Sequence, residues 1–160
     1  MSGSKSELKV TINQEVKTLM VGQDESLLDA LRAASYFSVK SGCDTKSCGI
    51  CTVLINSKRI KSCHTKALDV KGAEILTVEG LSKDGDMHPI QRAFLETGAI
   101  QCGFCTPGFL MTVVPFLEEH PHPSEDEIRE AIDGNICRCT GYEKIIESVQ
   151  AASEKMSSGK

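Results

Sequence analysis

Gly42-Cys-Asp-Thr-Lys-Ser-Cys-Gly-Ile-Cys-Thr-Val-Leu-Ile55 is the stretch on which the reading of this 160-residue chain turns. Cys43, Cys48 and Cys51 have the spacing C-x4-C-x2-C, and Cys63 follows after eleven further residues. The first three positions match the plant-type loop that holds a [2Fe–2S] cluster. Gly42 and Gly49 let such a loop wrap closely and aim backbone N–H groups at sulfur, where they stabilise thiolate charge. The apolar run that follows, Thr52 to Ile55, reads as a strand. Two other readings of the quartet are structural zinc and disulfides. Zinc sites use paired C-x2-C knuckles, which a four-residue gap fits poorly. Disulfides are not expected in a reducing compartment.

On the N-terminal side, Leu8, Val10 and Ile12 alternate with polar residues. After a polar turn at Asn13-Gln14 a second alternating run carries Val16, Leu19 and Val21, so a β-hairpin is predicted. Ser26-x-x-Asp29 resembles a capping box, and Leu27, Leu28, Leu31 and Ala34 share one face of a helix of about three turns. Strands are expected again at 52–55, 59–63 and 74–78, which places Cys63 on or just after a strand. Residues 7–81 therefore form a small α+β domain, and the polar stretch Ser82-Lys-Asp-Gly-Asp86 marks the boundary with a second domain at 82–156.

Beyond that boundary the periodicity is helical throughout. Pro89 opens one helix, with Ile90, Ala93 and Phe94 inward and Gly98 as its end. Thr106-Pro107 opens another, which Pro115 is expected to kink or end early. Ser124-x-x-Glu127 caps a third, stopped by Gly134, and Thr140-x-x-Glu143 caps a fourth carrying Tyr142, Ile145, Ile146 and Val149. The expectation is an all-α four-helix bundle, with frayed tails at 1–6 and 156–160.

The other four cysteines fall in this half. Cys102-x2-Cys105 and Cys137-x-Cys139 each precede a predicted helix, where unsatisfied N–H groups and a partial positive charge favour thiolates. Cys-x-Cys is too tight for the usual zinc knuckle but supplies two ligands to a binuclear cluster.

The remaining composition narrows the function classes. The net charge of −4 arises from 22 acidic and 18 basic residues spread along the chain, with no basic stripe for a nucleic acid. No apolar stretch has membrane-spanning length and the start lacks a signal-peptide pattern, so a cytoplasmic protein is expected.

Three segments carry a family resemblance: Gly42 to Ile55, Gln101-Cys-Gly-Phe-Cys-Thr-Pro-Gly108, and Gly134-Asn-Ile-Cys-Arg-Cys-Thr-Gly-Tyr142. On these segments, the chain resembles, over nearly its whole length, the iron–sulfur subunit or domain of the xanthine oxidase family of molybdenum hydroxylases. The resemblance implies a β-grasp, plant-ferredoxin-like first domain and a pseudo-twofold bundle as the second. It implies two [2Fe–2S] clusters, one on Cys43, Cys48, Cys51 and Cys63, the other on Cys102, Cys105, Cys137 and Cys139. Gln101 and Cys139 match positions that contact the molybdopterin, so a large molybdopterin-binding subunit and a FAD-binding subunit are the implied partners. Electrons would enter at the bundle and leave from the ferredoxin-like half, with the substrate, a xanthine-like purine or an aldehyde, oxidised on another chain. Lys46-Ser47, Ile50 and Pro115 depart from the family pattern without touching a ligand.

The chain has no Gly-rich dinucleotide fingerprint of its own, consistent with FAD on a partner. A free-standing electron shuttle would need only the first cysteine group. His120 and His122 read as solvated loop residues, His64 as a neighbour of Cys63, and Phe104 and Phe109 as packing residues.

Overall fold

The structure, a computed structural model, describes residues 4–158. Alternating apolar residues place β1 (Lys5–Ile12) and β2 (Glu15–Gly22) antiparallel to each other. Asn13 and Gln14 form the two-residue turn with φ of 50° and 72°, left-handed values that suit the twist of a tight hairpin. Helix α1 (Leu27–Ala33) follows, capped by Ser26, whose hydroxyl oxygen accepts from the Asp29 N–H at 3.1 Å. It is shorter than the expected three turns. Ser35 turns left-handed at φ 71°, and the Tyr36 N–H returns to the Leu31 carbonyl, closing the helix.

Three more strands, β3 (Thr52–Ile55), β4 (Lys58–Lys61) and β5 (Glu74–Leu76), complete a mixed sheet in the order β2-β1-β5-β3-β4. Only the β1 and β5 pair is parallel. β4 ends before Cys63, which sits instead in the 3₁₀ turn Ser62–His64. Strand β3 is buried on both faces, as a continuous apolar run should be. Val53 joins Leu8, Val10, Ile12 and Leu31 in the core under α1, whereas Leu54 joins the core of the helical half. Successive strand residues point to opposite faces, so one strand serves both cores.

The second half contains α2 (Pro89–Glu96), α3 (Thr106–Glu119), α4 (Glu125–Ile132) and α5 (Glu143–Ser158). α2 packs on α5 and α3, and α4 packs on α3 and α5, around Ile90, Phe94, Phe109, Ile128 and Ile145. α3 also lies against β3. The Ser124 and Glu127 capping box forms in full.

Several expectations are corrected here. Helix α3 runs through Pro115 to Glu119, and the His120 N–H still reaches the Phe116 carbonyl at 2.8 Å. A proline inside a helix costs about 3 kcal/mol, and burial of Leu117 beyond it, at about 1.5–3 kcal/mol per large apolar side chain, offsets that cost. Thr140 does not cap Glu143. Its hydroxyl is turned back toward Cys137, and Gly141 and Tyr142 (φ 64° and 72°) lead into α5. In the tails, Lys5 and Ser6 belong to β1, and α5 extends through residues 156–158; residues 1–3 and 159–160 lie outside the described residues. Among the described residues no helix is long and apolar enough to cross a membrane.

Candidate metal centres

The first quartet is built on the loop between α1 and β3. Lys46 and Gly49 take left-handed conformations (φ 59° and 70°) that curl residues 43–51 around the sulfurs. The Cys43 thiol is drawn down to about 6, chiefly by the Cys48 N–H, then by the Cys48 side chain, with the Ser47 N–H and the Thr45 hydroxyl adding to it. Burial pushes Cys48 up, against the Ile50 N–H that lowers it. Cys63 is delivered by a residue that sequence reasoning passed over. Ser62 is fully buried, and both its hydroxyl (2.8 Å) and its N–H (3.2 Å) donate to the Cys51 carbonyl, fixing Cys63 beside Cys51. Burial, then the neighbouring Cys51, pushes the Cys63 thiol up to about 12. The rim of the loop is tied down from β4 and the turn after it. Lys61 Nζ donates to the Ser47 carbonyl at 2.9 Å, and His64 Nε2 lies 3.0 Å from the Lys46 carbonyl. His64 is therefore a contact of the loop and not only a neighbour of Cys63.

The second quartet gathers at the start of α3 and the turn before α5. Cys105 is the N-cap residue of α3. Gly103, at φ 76°, bends the chain so that Cys102 remains exposed while Cys105 is half-buried. Cys137 is buried and Cys139 exposed. Burial raises the Cys137 thiol, but the Thr140 hydroxyl (3.1 Å) and N–H (3.4 Å) donate to its sulfur and, with the Cys139 N–H, hold it below its ordinary value. Burial and then Cys137 push Cys105 up to about 12. The Cys137 N–H donates to the Tyr142 hydroxyl at 3.1 Å, and that ring packs edge-on against Phe109. Gln101 is exposed beside Cys102. Phe109 is fully buried as expected, but Phe104 is exposed, with the Lys40 ammonium 5.2 Å from its ring centroid. His120 and His122 lie exposed in the loop after α3.

All eight cysteines are free thiols. Cys139 and Cys102 lie 3.6 Å apart, and Cys43 and Cys48, Cys51 and Cys63, and Cys105 and Cys137 are close enough that one partner shifts the other's thiol. Two thiolates on one tetrahedral metal at about 2.3 Å would sit about 3.8 Å apart, close to the 3.6 Å between Cys102 and Cys139. Among the described residues no three such side chains converge tightly enough for a single ion. A binuclear cluster takes four cysteine thiolates, the number that each quartet would supply. Within each quartet, high-lying thiols stand beside depressed ones, so loading with metal must release protons.

The two quartets meet directly. The Ile136 N–H donates to the Cys48 carbonyl at 2.9 Å, and Asn135 Nδ2 to the Gly49 carbonyl at 3.0 Å. This is the contact Gly49 serves beyond its turn: a Cβ there would lie 2.3 Å from the Gly134 carbonyl. A Cβ at Gly108 would likewise meet the Gly49 carbonyl at 2.6 Å, so α3 approaches the first loop backbone to backbone.

Comparison with known proteins finds two cluster-binding domains in the chain. A family model described as a 2Fe-2S iron-sulfur cluster binding domain matches residues 10–77, and one described as a [2Fe-2S] binding domain matches residues 77–150. The chain is 44% identical over 144 residues to the nicotine 6-hydroxylase small subunit of Paenarthrobacter nicotinovorans, covering 89% of this chain and 87% of that one. It is 40% identical over 147 residues to the xanthine dehydrogenase iron-sulfur-binding subunit of Escherichia coli O157:H7, covering 89% and 91%. The crystal structure of quinoline 2-oxidoreductase from Pseudomonas putida 86 superposes with a TM-score of 0.93 at 41% identity, over 98% of this chain and 99% of that one. With two cluster-binding domains in an α+β chain, this protein belongs to the iron–sulfur small subunits of the xanthine dehydrogenase and aldehyde oxidoreductase family of molybdenum hydroxylases.

Proposed function

We propose that this chain is the electron-transfer subunit of a heteromeric molybdenum hydroxylase, relaying electrons from a molybdopterin site on a large partner subunit to FAD on another. The observation that carries the reading is the direct contact of the two cysteine-bearing loops, with Cys102 and Cys139 already 3.6 Å apart. Cys43, Cys48, Cys51 and Cys63 would hold one [2Fe–2S] cluster, in a β-grasp domain at 7–81. Cys102, Cys105, Cys137 and Cys139 would hold the other, in a four-helix bundle at 82–156. When bound, each cluster supplies one-electron chemistry, with a potential set by hydrogen bonds to sulfur, charge and burial.

The exposed sulfurs of Cys102 and Cys139 make the bundle the side on which electrons would enter, with Gln101 and Cys139 against the pterin. The first loop, whose rim from Ser41 to Ser47 is largely exposed, would face the FAD-binding subunit. The names of the relatives favour an N-heterocycle, purines included, or an aldehyde as the substrate of the assembled enzyme. Eight cysteines committed to clusters and not to disulfides would suit a reducing, cytoplasmic location.

Iron and acid-labile sulfide analysis tests the reading. About four irons per chain are expected from two binuclear clusters, and zinc without sulfide would sink it. Cys48→Ser and Cys137→Ser should each remove a different electron paramagnetic resonance signal of the reduced protein.

A further inference from the structure

Asn135 is a polar loop residue that is 4% exposed, and both ends of its carboxamide are engaged. Nδ2 donates to the Gly49 carbonyl at 3.0 Å, and Oδ1 accepts from the hydroxyl of Thr112, itself buried on α3, at 2.8 Å. Its backbone is held as well: the N–H donates to the Ile132 carbonyl at 2.9 Å, and the carbonyl accepts from the Tyr142 hydroxyl at 3.4 Å. The side chain therefore pins the residue after Cys48 to the residue two before Cys137. Between the pinned positions lies the Ile136 N–H to Cys48 carbonyl bond of 2.9 Å. From Cys48 Sγ to Cys137 Sγ the path is covalent except for that one hydrogen bond.

We infer that Asn135 is a positioning residue for electron exchange between the two cysteine quartets, acting by holding the Cys48 carbonyl against the Ile136 N–H. The inference rests on the two-cluster reading above. The exchange moves one electron, lost at one site and gained at the other, without a proton. Its rate follows the electronic coupling across the bonded path, which falls steeply when a hydrogen bond opens into a gap. An apolar residue at 135 would leave the buried Thr112 hydroxyl without its partner and the Gly49 carbonyl with Thr52 alone, whose hydroxyl and N–H lie at 2.6 and 3.2 Å. A cavity of about 290 Å³ borders Thr52, Thr112, Gly134 and Asn135, so water can reach the freed groups there, but a bridging water holds the two loops less firmly than one carboxamide.

The test uses the cluster-loaded full chain as wild type, Asn135→Ala, Thr112→Val and Thr112→Ser. Iron and sulfide content establishes occupancy. The readouts are the rate of electron redistribution after fast photoreduction and the spin–spin splitting between the two sites when both are reduced. Asn135→Ala should keep both signals, lose part of the splitting and slow redistribution several-fold. Thr112→Val should slow it less, and Thr112→Ser should restore the wild-type rate. Unchanged redistribution and splitting in Asn135→Ala and Thr112→Val at full occupancy would overturn the inference. If Asn135→Ala sheds a cluster, the Thr112 pair decides, and equal rates in Val and Ser overturn it. A wild-type chain without two distinct signals would instead show that the two-cluster reading is at fault.

Discussion

Thr140 gives both its hydroxyl and its N–H to the Cys137 sulfur, so one residue carries most of the hydrogen bonding that lowers that thiol. Hydrogen bonds to sulfur stabilise the more negative, reduced form of a bound cluster. Thr140→Val keeps the shape and removes the hydroxyl donor. The reduction potential of the second site should fall by about 60 mV, a tenfold change for a one-electron couple, while the ferredoxin-like site stays unchanged in the same redox titration. Equal shifts at both sites would argue against a local effect. The close-spaced cysteine motifs at 43–51, 102–105 and 137–139 stand out in the sequence because their spacings are local. Thr140, Ser62 and Asn135 were not, because their value lies in partners: Cys137 for a hydroxyl that looked like a helix cap, Cys51 for a serine beside a ligand, and Gly49 for an asparagine 86 positions away.

Helix α3 shows how far tertiary packing can override a local rule. Pro115 cannot donate to the Met111 carbonyl, yet the turn beyond it persists because Leu117 is buried and Phe116 packs against the same core. Pro115→Ala restores the missing donor without changing the buried face, so it should stabilise the chain by about 1 kcal/mol or more, raising the midpoint of thermal unfolding by roughly 2–4 °C for a chain of this size. A lower midpoint would mean that the proline ring itself fills space the alanine leaves open. The hairpin, α1 and the helices of the second half were readable from apolar periods of two and 3.6. The end of α1 at a left-handed Ser35 and the early end of β4 were not, since neither residue announces its backbone conformation.

Glu79 joins distant parts of the chain. Its carboxylate accepts from the Ser38 N–H at 2.9 Å, from the Ser38 hydroxyl, and from the Thr77 hydroxyl at 2.6 Å, holding the segment after α1 against the end of the sheet. Burial raises this carboxyl, but the Ser38 and Thr77 hydrogen bonds outweigh it and hold it below its ordinary value. A carboxyl depressed by folding contributes stability that is present above its unfolded pKa of about 4.3 and is lost as pH falls through the folded value. Glu79→Gln should therefore lower the unfolding midpoint at pH 7 and flatten the part of the acid-unfolding curve below about pH 4 that belongs to this residue. Identical acid profiles for the two proteins would remove Glu79 from the account.

Strand β3 offers Val53 to the core beneath α1 and Leu54 to the core of the helices. A wall shared by two rooms cannot be kept by one of them alone. Cutting the chain after the sheet would leave Leu54, Leu76 and Leu81 facing water, and cutting before α2 would strip Phe109 and its neighbours of the surface they lean on. The boundary near residue 82, so plain as a change in sequence pattern, is thus not a line along which the molecule can be divided, and its two halves should melt together as one cooperative unit.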